Sequence, residues 1–201
     1  MRRSSSDVEG WTDYCETITV GLRGMAVTDH SGATLSPGDG VARWVAMTRA
    51  THDRGGQLYI IGNGGSAGMA SHMAADACKN GHLRAMAFND VALLTATSND
   101  LAYDQVFSLP LERLGRSGDL VIAISSSGNS PNIVRALETC CTLGLEAVTL
   151  MGMHADNRAR TLGDLNFYVP LPRYGWIESA HQVILHYWFD QYLCEHRQGA
   201  I

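Results

Sequence analysis

The chain has 201 residues, 45% of them apolar and 17% charged, with a formal net charge of −5. That is enough apolar material for one core of ordinary domain size. The acidic balance argues against a general nucleic-acid binder, which carries a basic patch or stripe. No segment reaches about 18 consecutive apolar residues, so no membrane span is expected.

The N-terminal "MRRSSSDVEGW" has two arginines with no apolar run behind them, so it is not expected to act as a secretory signal. Residues 7–28 and 40–53 predict helices, from apolar residues at mixed three and four spacings. The segment between them, "DHSGATLSPGDG", is rich in turn formers. Strands are then expected at 57–62, 83–89, 119–127, 146–152 and 165–170, with helices at about 66–79, 101–114, 130–143 and 176–196. Alternation of this kind predicts an α/β fold: a three-layer sandwich around a parallel five-stranded sheet, with an N-terminal helical extension over residues 1–40 and the main domain over 41–196. Continuously apolar strands such as "DLVIAISSS" support burial of both sheet faces. The five cysteines are odd in number and form no C-x-x-C pair, as expected of free thiols in a reducing cytosol.

Two strand ends carry unusual residues. In "IIGNGGSAG" a strand runs into Gly62, Asn63, Gly64, Gly65 and Ser66 before a helix. Glycines allow close backbone approach to a ligand, and a helix N-terminus favours an anion. In "AISSSGNSPNIV" Ser125, Ser126 and Ser127 precede Gly128, Asn129 and Ser130, and Pro131 starts the next helix. Four hydroxyls around one helix start can bind phosphate oxygens. Ligands of parallel sheets bind outside the carboxyl ends of strands, where both segments are expected to lie. Neither G-x-x-x-x-G-K-[ST] nor G-x-G-x-x-G is present, since Ala67 occupies the last position of the latter, so no nucleotide is expected. A serine-lined site without lysine suggests a sugar phosphate.

His72 and Asp76 are four apart on the helix leaving the first cradle and share a face. The late helix in "YGWIESAHQVILHYWFD" carries Glu178, Gln182 and His186 along one stripe, with His181 pointing elsewhere. The apolar neighbours of His186 predict its burial. Two histidines and two carboxylates on two helices suit either a metal set or a general acid and base.

"GNGGS", "SND" at 98–100, "ISSSGNS" and the late acid-x7-His helix resemble the sugar isomerase (SIS) domain family, in its phosphoheptose isomerase branch. The resemblance runs over about 40–196. It implies a flavodoxin-like doubly wound fold and an aldose–ketose isomerase of sedoheptulose 7-phosphate working through an enediol. It implies that Asn63, Gly64, Gly65 and Ser66 line the sugar phosphate, that Ser125, Ser126, Ser127 and Ser130 hold the phosphate, and that Asn99 and Asp100 touch the sugar. His72, Asp76, Glu178 and His186 would hold a zinc ion, and Asp76, Glu178 and His186 would share proton transfer, with Glu178 also touching substrate. A cytoplasmic homotetramer with sites at subunit interfaces is implied, with no nucleic-acid or membrane partner.

Two positions depart from the family pattern. Asp76 stands where the family has a glutamate, and Glu178 where it has a glutamine. The pair could have exchanged acidity, or could adapt the site to another sugar, such as an eight-carbon phosphate. A non-catalytic sugar-phosphate sensor is the rival from another class. Such a protein usually carries a DNA-binding domain, and residues 1–40 are too short and insufficiently basic for one.

Overall fold

Residues 10–198 are described by a computed structural model. Five apolar runs form the parallel part of one sheet: β3 (Leu58–Gly62), β4 (Ala85–Ala87), β5 (Leu120–Ser125), β6 (Glu146–Met151) and β7 (Leu165–Tyr168). Their order is β7-β6-β5-β3-β4, so β5 lies directly beside β3. This is the doubly wound order expected, with its switch point between β3 and β5.

Two further strands extend the sheet. Helix α1 spans Trp11–Arg23 rather than 7–28, and residues 7–9 lie outside the described residues. The chain leaves the helix at Gly24 and runs into β1 (Ala26–Asp29), which pairs antiparallel with β7 and with β2 (Thr34–Leu35). β-Branched Val27 and Thr28 favour the strand. The Asp29 carboxylate closes the turn by accepting from the Ser31 and Ala33 amides at 2.9 and 3.1 Å. The sheet therefore has seven strands, and the described part of the expected helical extension supplies two of them.

Side chains alternate between two cores, one on each sheet face. Leu58, Ile60, Leu120, Ile122, Ile124, Val148 and Leu150 face α2 (Pro37–Asp53), α3 (Gly65–Lys79) and α7 (Tyr174–Gln198). Ile61, Val121, Ala123 and Met151 face α5 (Ser108–Leu114) and α6 (Pro131–Leu143). Trp44 of α2 stacks on Trp188 of α7 at 4.4 Å, and Trp188 Nε1 donates to Thr48 Oγ1 at 3.1 Å. Such a pair adds about 1 kcal/mol beyond its area burial, and it fixes α7 across the sheet. Helix α4 (Val91–Asp100), capped by Asp90 on the Leu93 amide, fills a stretch where no helix is expected. The helix expected at 101–114 begins only at Ser108, after a short 3-10 turn over Tyr103–Gln105. None of the five cysteines is paired.

The buried histidine of α7 is His181, and His186 is exposed. The large apolar neighbours Leu185, Trp188 and Phe189 occupy the inner face, which leaves His186 on the outer one. His181 Nε2 lies 3.3 Å from the Met151 carbonyl and Nδ1 has no partner. Burial pushes its pKa down to about 4 from 6.5. The unfolded chain then binds a proton that the folded chain refuses. The stabilisation is complete above about pH 6.5 and is lost as pH falls toward 4. Between pH 7 and 4, urea unfolding should lose about 3 kcal/mol more in the wild type than in His181→Leu; parallel pH profiles would contradict this.

Candidate functional site

The chain leaves β3 at Gly62, turns through Asn63 and Gly64, and enters α3 at Gly65. It leaves β5 at Ser125, turns through Ser126–Asn129, and enters α6 at Pro131 behind Ser130. Because β3 and β5 are neighbours, both turns meet at the switch point, while α3 and α6 diverge to opposite faces. A reciprocal amide pair ties the turns together. Asn63 Nδ2 donates to Asn132 Oδ1 at 2.9 Å, and Asn132 Nδ2 donates to Asn63 Oδ1 at 2.8 Å. Tyr103 Oη also donates to Asn63 Oδ1, at 3.1 Å.

A small cleft of about 140 Å³ opens here, lined by Asn63, Ser66, Ser125, Ser126, Ser127, Ser130, Tyr174 and Glu178. The four serine hydroxyls of the turn after β5 divide into two pairs. Ser125 Oγ and Ser127 Oγ accept from the Gly128 and Asn129 amides and so shape the loop. Ser126 Oγ is buried without a partner, and Ser130 makes no side-chain cap bond. A buried hydroxyl left unpaired is costly, and a phosphate oxygen would pair it. Gly128 has φ +63°, and a Cβ there would lie 2.0 Å from Asn157 Oδ1, so only glycine fits this loop.

Glu178 of α7 also lines a second, larger cleft of about 730 Å³, together with Gly65, Met69, Gln182, His186 and Asp190. A Cβ on Gly65 would lie 2.8 Å from Glu178 Oε2, so this glycine lets the carboxylate reach the start of α3. At the edge of the larger cleft His72, Asp76 and His186 gather. Asp76 Oδ2 lies 3.5 Å from His72 Nε2, and the His72 and His186 rings meet edge-on at 5.4 Å. Their three ligating atoms lie within 4.8 Å of one another. Two imidazoles and one carboxylate suit zinc, which takes tetrahedral sites with a fourth position open. Glu178 is not in this group. It stands two turns earlier on α7 and lines both clefts.

The structure thus gathers most expected site residues at one crevice. Gly64 caps α3 in the first turn. Asn99 and Asp100 line neither cleft; they end α4, and Asn99 Nδ2 donates to Asp100 Oδ1. Sequence reasoning missed Asn132, Tyr103, Tyr174 and Asp190. Asn132 was legible in "GNSPN" as the second polar side chain at a helix start; the others carry no local signal.

The SIS domain family model matches residues 37–152. Phosphoheptose isomerase of Chlorobaculum parvum is 42% identical over 140 residues, 66% of each chain. Phosphoheptose isomerase of Yersinia pestis is 34% identical over 158 residues, 74% of this chain and 79% of that one. Among solved structures, phosphoheptose isomerase GmhA from Neisseria gonorrhoeae superposes with a TM-score of 0.78 at 27% identity, covering 90% of this chain and 94% of that one. The chain belongs to the SIS domain family.

The amide pair carries a prediction. Asn132→Leu strands the Asn63 Nδ2 donor in a partly buried place and leaves Oδ1 to Tyr103 alone. It should cost about 1–3 kcal/mol in urea unfolding and weaken binding of inorganic phosphate. Unchanged stability and affinity would show that the two turns hold their positions without it.

Proposed function

We infer that this chain, as a member of the SIS domain family, is an aldose–ketose isomerase of the phosphoheptose isomerase type, interconverting sedoheptulose 7-phosphate and a heptose 7-phosphate. One observation carries the reading. A serine-lined cleft of phosphate size shares Glu178 with a larger cleft lined by His186, which gathers with His72 and Asp76. An open-chain sugar phosphate has the same layout, an anion at one end and a carbonyl several carbons away. The relatives named phosphoheptose isomerase support the same substrate.

In this reading Ser126 and Ser130 donate to phosphate oxygens, helped by the N-termini of α3 and α6. Binding energy at the phosphate positions carbons that react far from it. Asp76 takes a proton from C1 of the ketose. The C–H electron pair becomes the C1=C2 double bond, and the C2 oxygen gains a proton to give the enediol. Return of a proton to C2 and loss of the O1 proton form the aldehyde. His186 moves the hydroxyl proton. Glu178, which lines both clefts, holds the hydroxyls of the chain and is the second carboxylate within reach. Asn99 and Asp100, at the end of α4 just before the turn whose Tyr103 bonds Asn63, would touch the sugar chain. A divalent ion such as zinc, where bound by His72, Asp76 and His186, supplies Lewis-acid polarisation of the carbonyl and hydroxyl oxygens.

We also propose a homotetramer in the cytoplasm. The larger cleft is walled by Val183 and Tyr187, which are 50% and 51% exposed. A second copy over this face would cover those side chains and exclude water from the acid–base cluster. No described helix is long and apolar enough to cross a membrane.

Kinetics with sedoheptulose 7-phosphate test the assignment. Asp76→Asn and His186→Asn should each lower kcat by about 10²-fold or more with KM little changed. Ser126→Ala should chiefly raise KM. A chelator should abolish turnover and zinc restore it. If Asp76→Asn keeps its kcat while Glu178→Gln loses it, Glu178 is the base.

A further inference from the structure

The other ends of β3 and β5 border another cleft, of about 420 Å³. Although the chain is acidic overall, three arginines line it: Arg54, Arg84 and Arg116. Arg54 is engaged. Its Nε donates to the Gly118 carbonyl at 2.8 Å, and Nη2 lies 3.4 Å from Glu146 Oε1. Arg84 gives one N–H to the Gly55 carbonyl at 2.8 Å, and its other donors have no partner among the described residues. The Arg116 guanidinium makes no hydrogen bond or ion pair among the described residues.

The floor of the cleft is Tyr59. Its side chain is 2% exposed and its ring stacks on Phe88 at 5.2 Å. Its hydroxyl has no hydrogen-bond partner among the described residues, although it opens onto the cleft. Burial and then Asp119 raise the pKa of this hydroxyl, and the positive charge of Arg84 and Arg116 offsets them only in part. Asp119 also lines the cleft, but its two oxygens accept from the Gln57 and Arg116 amides at 2.7 and 2.9 Å. It holds the loops in place and presents little free acceptor to a ligand.

Two guanidinium forks and a phenol hydroxyl on the cleft floor match the several oxygens of a phosphate group. Met86 and Leu114, 39% and 50% exposed, add apolar wall on which an organic body would rest. We propose that this cleft is a binding site for a small phosphorylated molecule, held by Arg84, Arg116 and the Tyr59 hydroxyl. It is separate from the serine cradle, which lies at the opposite ends of the same two strands. The proposal does not depend on the isomerase reading.

Hydrogen–deuterium exchange on the full chain tests it, with millimolar inorganic phosphate compared against chloride at equal ionic strength. Phosphate should protect amides at 54–59 and 114–120 in the wild type and equally in a Ser126→Ala/Ser130→Ala variant. That protection should be lost in Arg84→Gln/Arg116→Gln and reduced in Tyr59→Phe, which removes one hydroxyl and leaves the stacked ring. Protection confined to the serine cradle, protection by chloride as strong as by phosphate, or protection surviving the double arginine replacement would each overturn the proposal.

Discussion

Two parallel strands that are neighbours in the sheet send their following helices to opposite faces. This constraint underlies the site. Strand β3 leads into α3 on the face shared with α2 and α7, and β5 leads into α6 on the other. The turns between strand and helix cannot fill the space from which the helices diverge, so a crevice opens at the carboxyl ends. The amide pair of Asn63 and Asn132 bridges it at one level. Helix α7 passes its mouth and brings Glu178 to one end and His186 to the other.

Much of this was legible in the chain. The strand runs are continuously apolar because both sheet faces are covered, and Gly64, Gly65 and the serine run mark where the backbone must turn tightly at an open edge. Local pattern failed where tertiary context decided. β1 reads as the continuation of α1 until its pairing with β7 is known. Helix α4 has little amphipathic contrast, and only Thr97 on it is buried. His186 sits among apolar residues in sequence, yet the helical twist turns those residues inward and leaves the imidazole outside. Burial falls instead on His181. The separation of Glu178 from the His72, Asp76 and His186 group could not be read from spacing alone, because it depends on how α7 crosses α3.

In the proposed reading, the two pairs of serine hydroxyls let one loop both hold its shape and bind. Ser125 and Ser127 tie down backbone amides, so Ser126 and Ser130 need not reorganise to meet an anion. Preorganised donors of this kind act strongly only where water is kept out. The phosphate end already meets that condition, since Ser125 and Ser126 are buried. The reacting end does not: His72 and His186 are exposed in a single chain. Its protons therefore exchange with solvent unless a neighbouring copy covers them.

The most direct test of the account is the fate of hydrogen during turnover. Sedoheptulose 7-phosphate would be incubated with the protein in deuterated water and followed by NMR. The account predicts an aldose product with deuterium at C2, and deuterium at C1 of the recovered ketose, because the acid–base group that carries the proton through an enediol exchanges it with solvent between turnovers. Absence of both conversion and exchange, from protein that binds sedoheptulose 7-phosphate tightly, would contradict it.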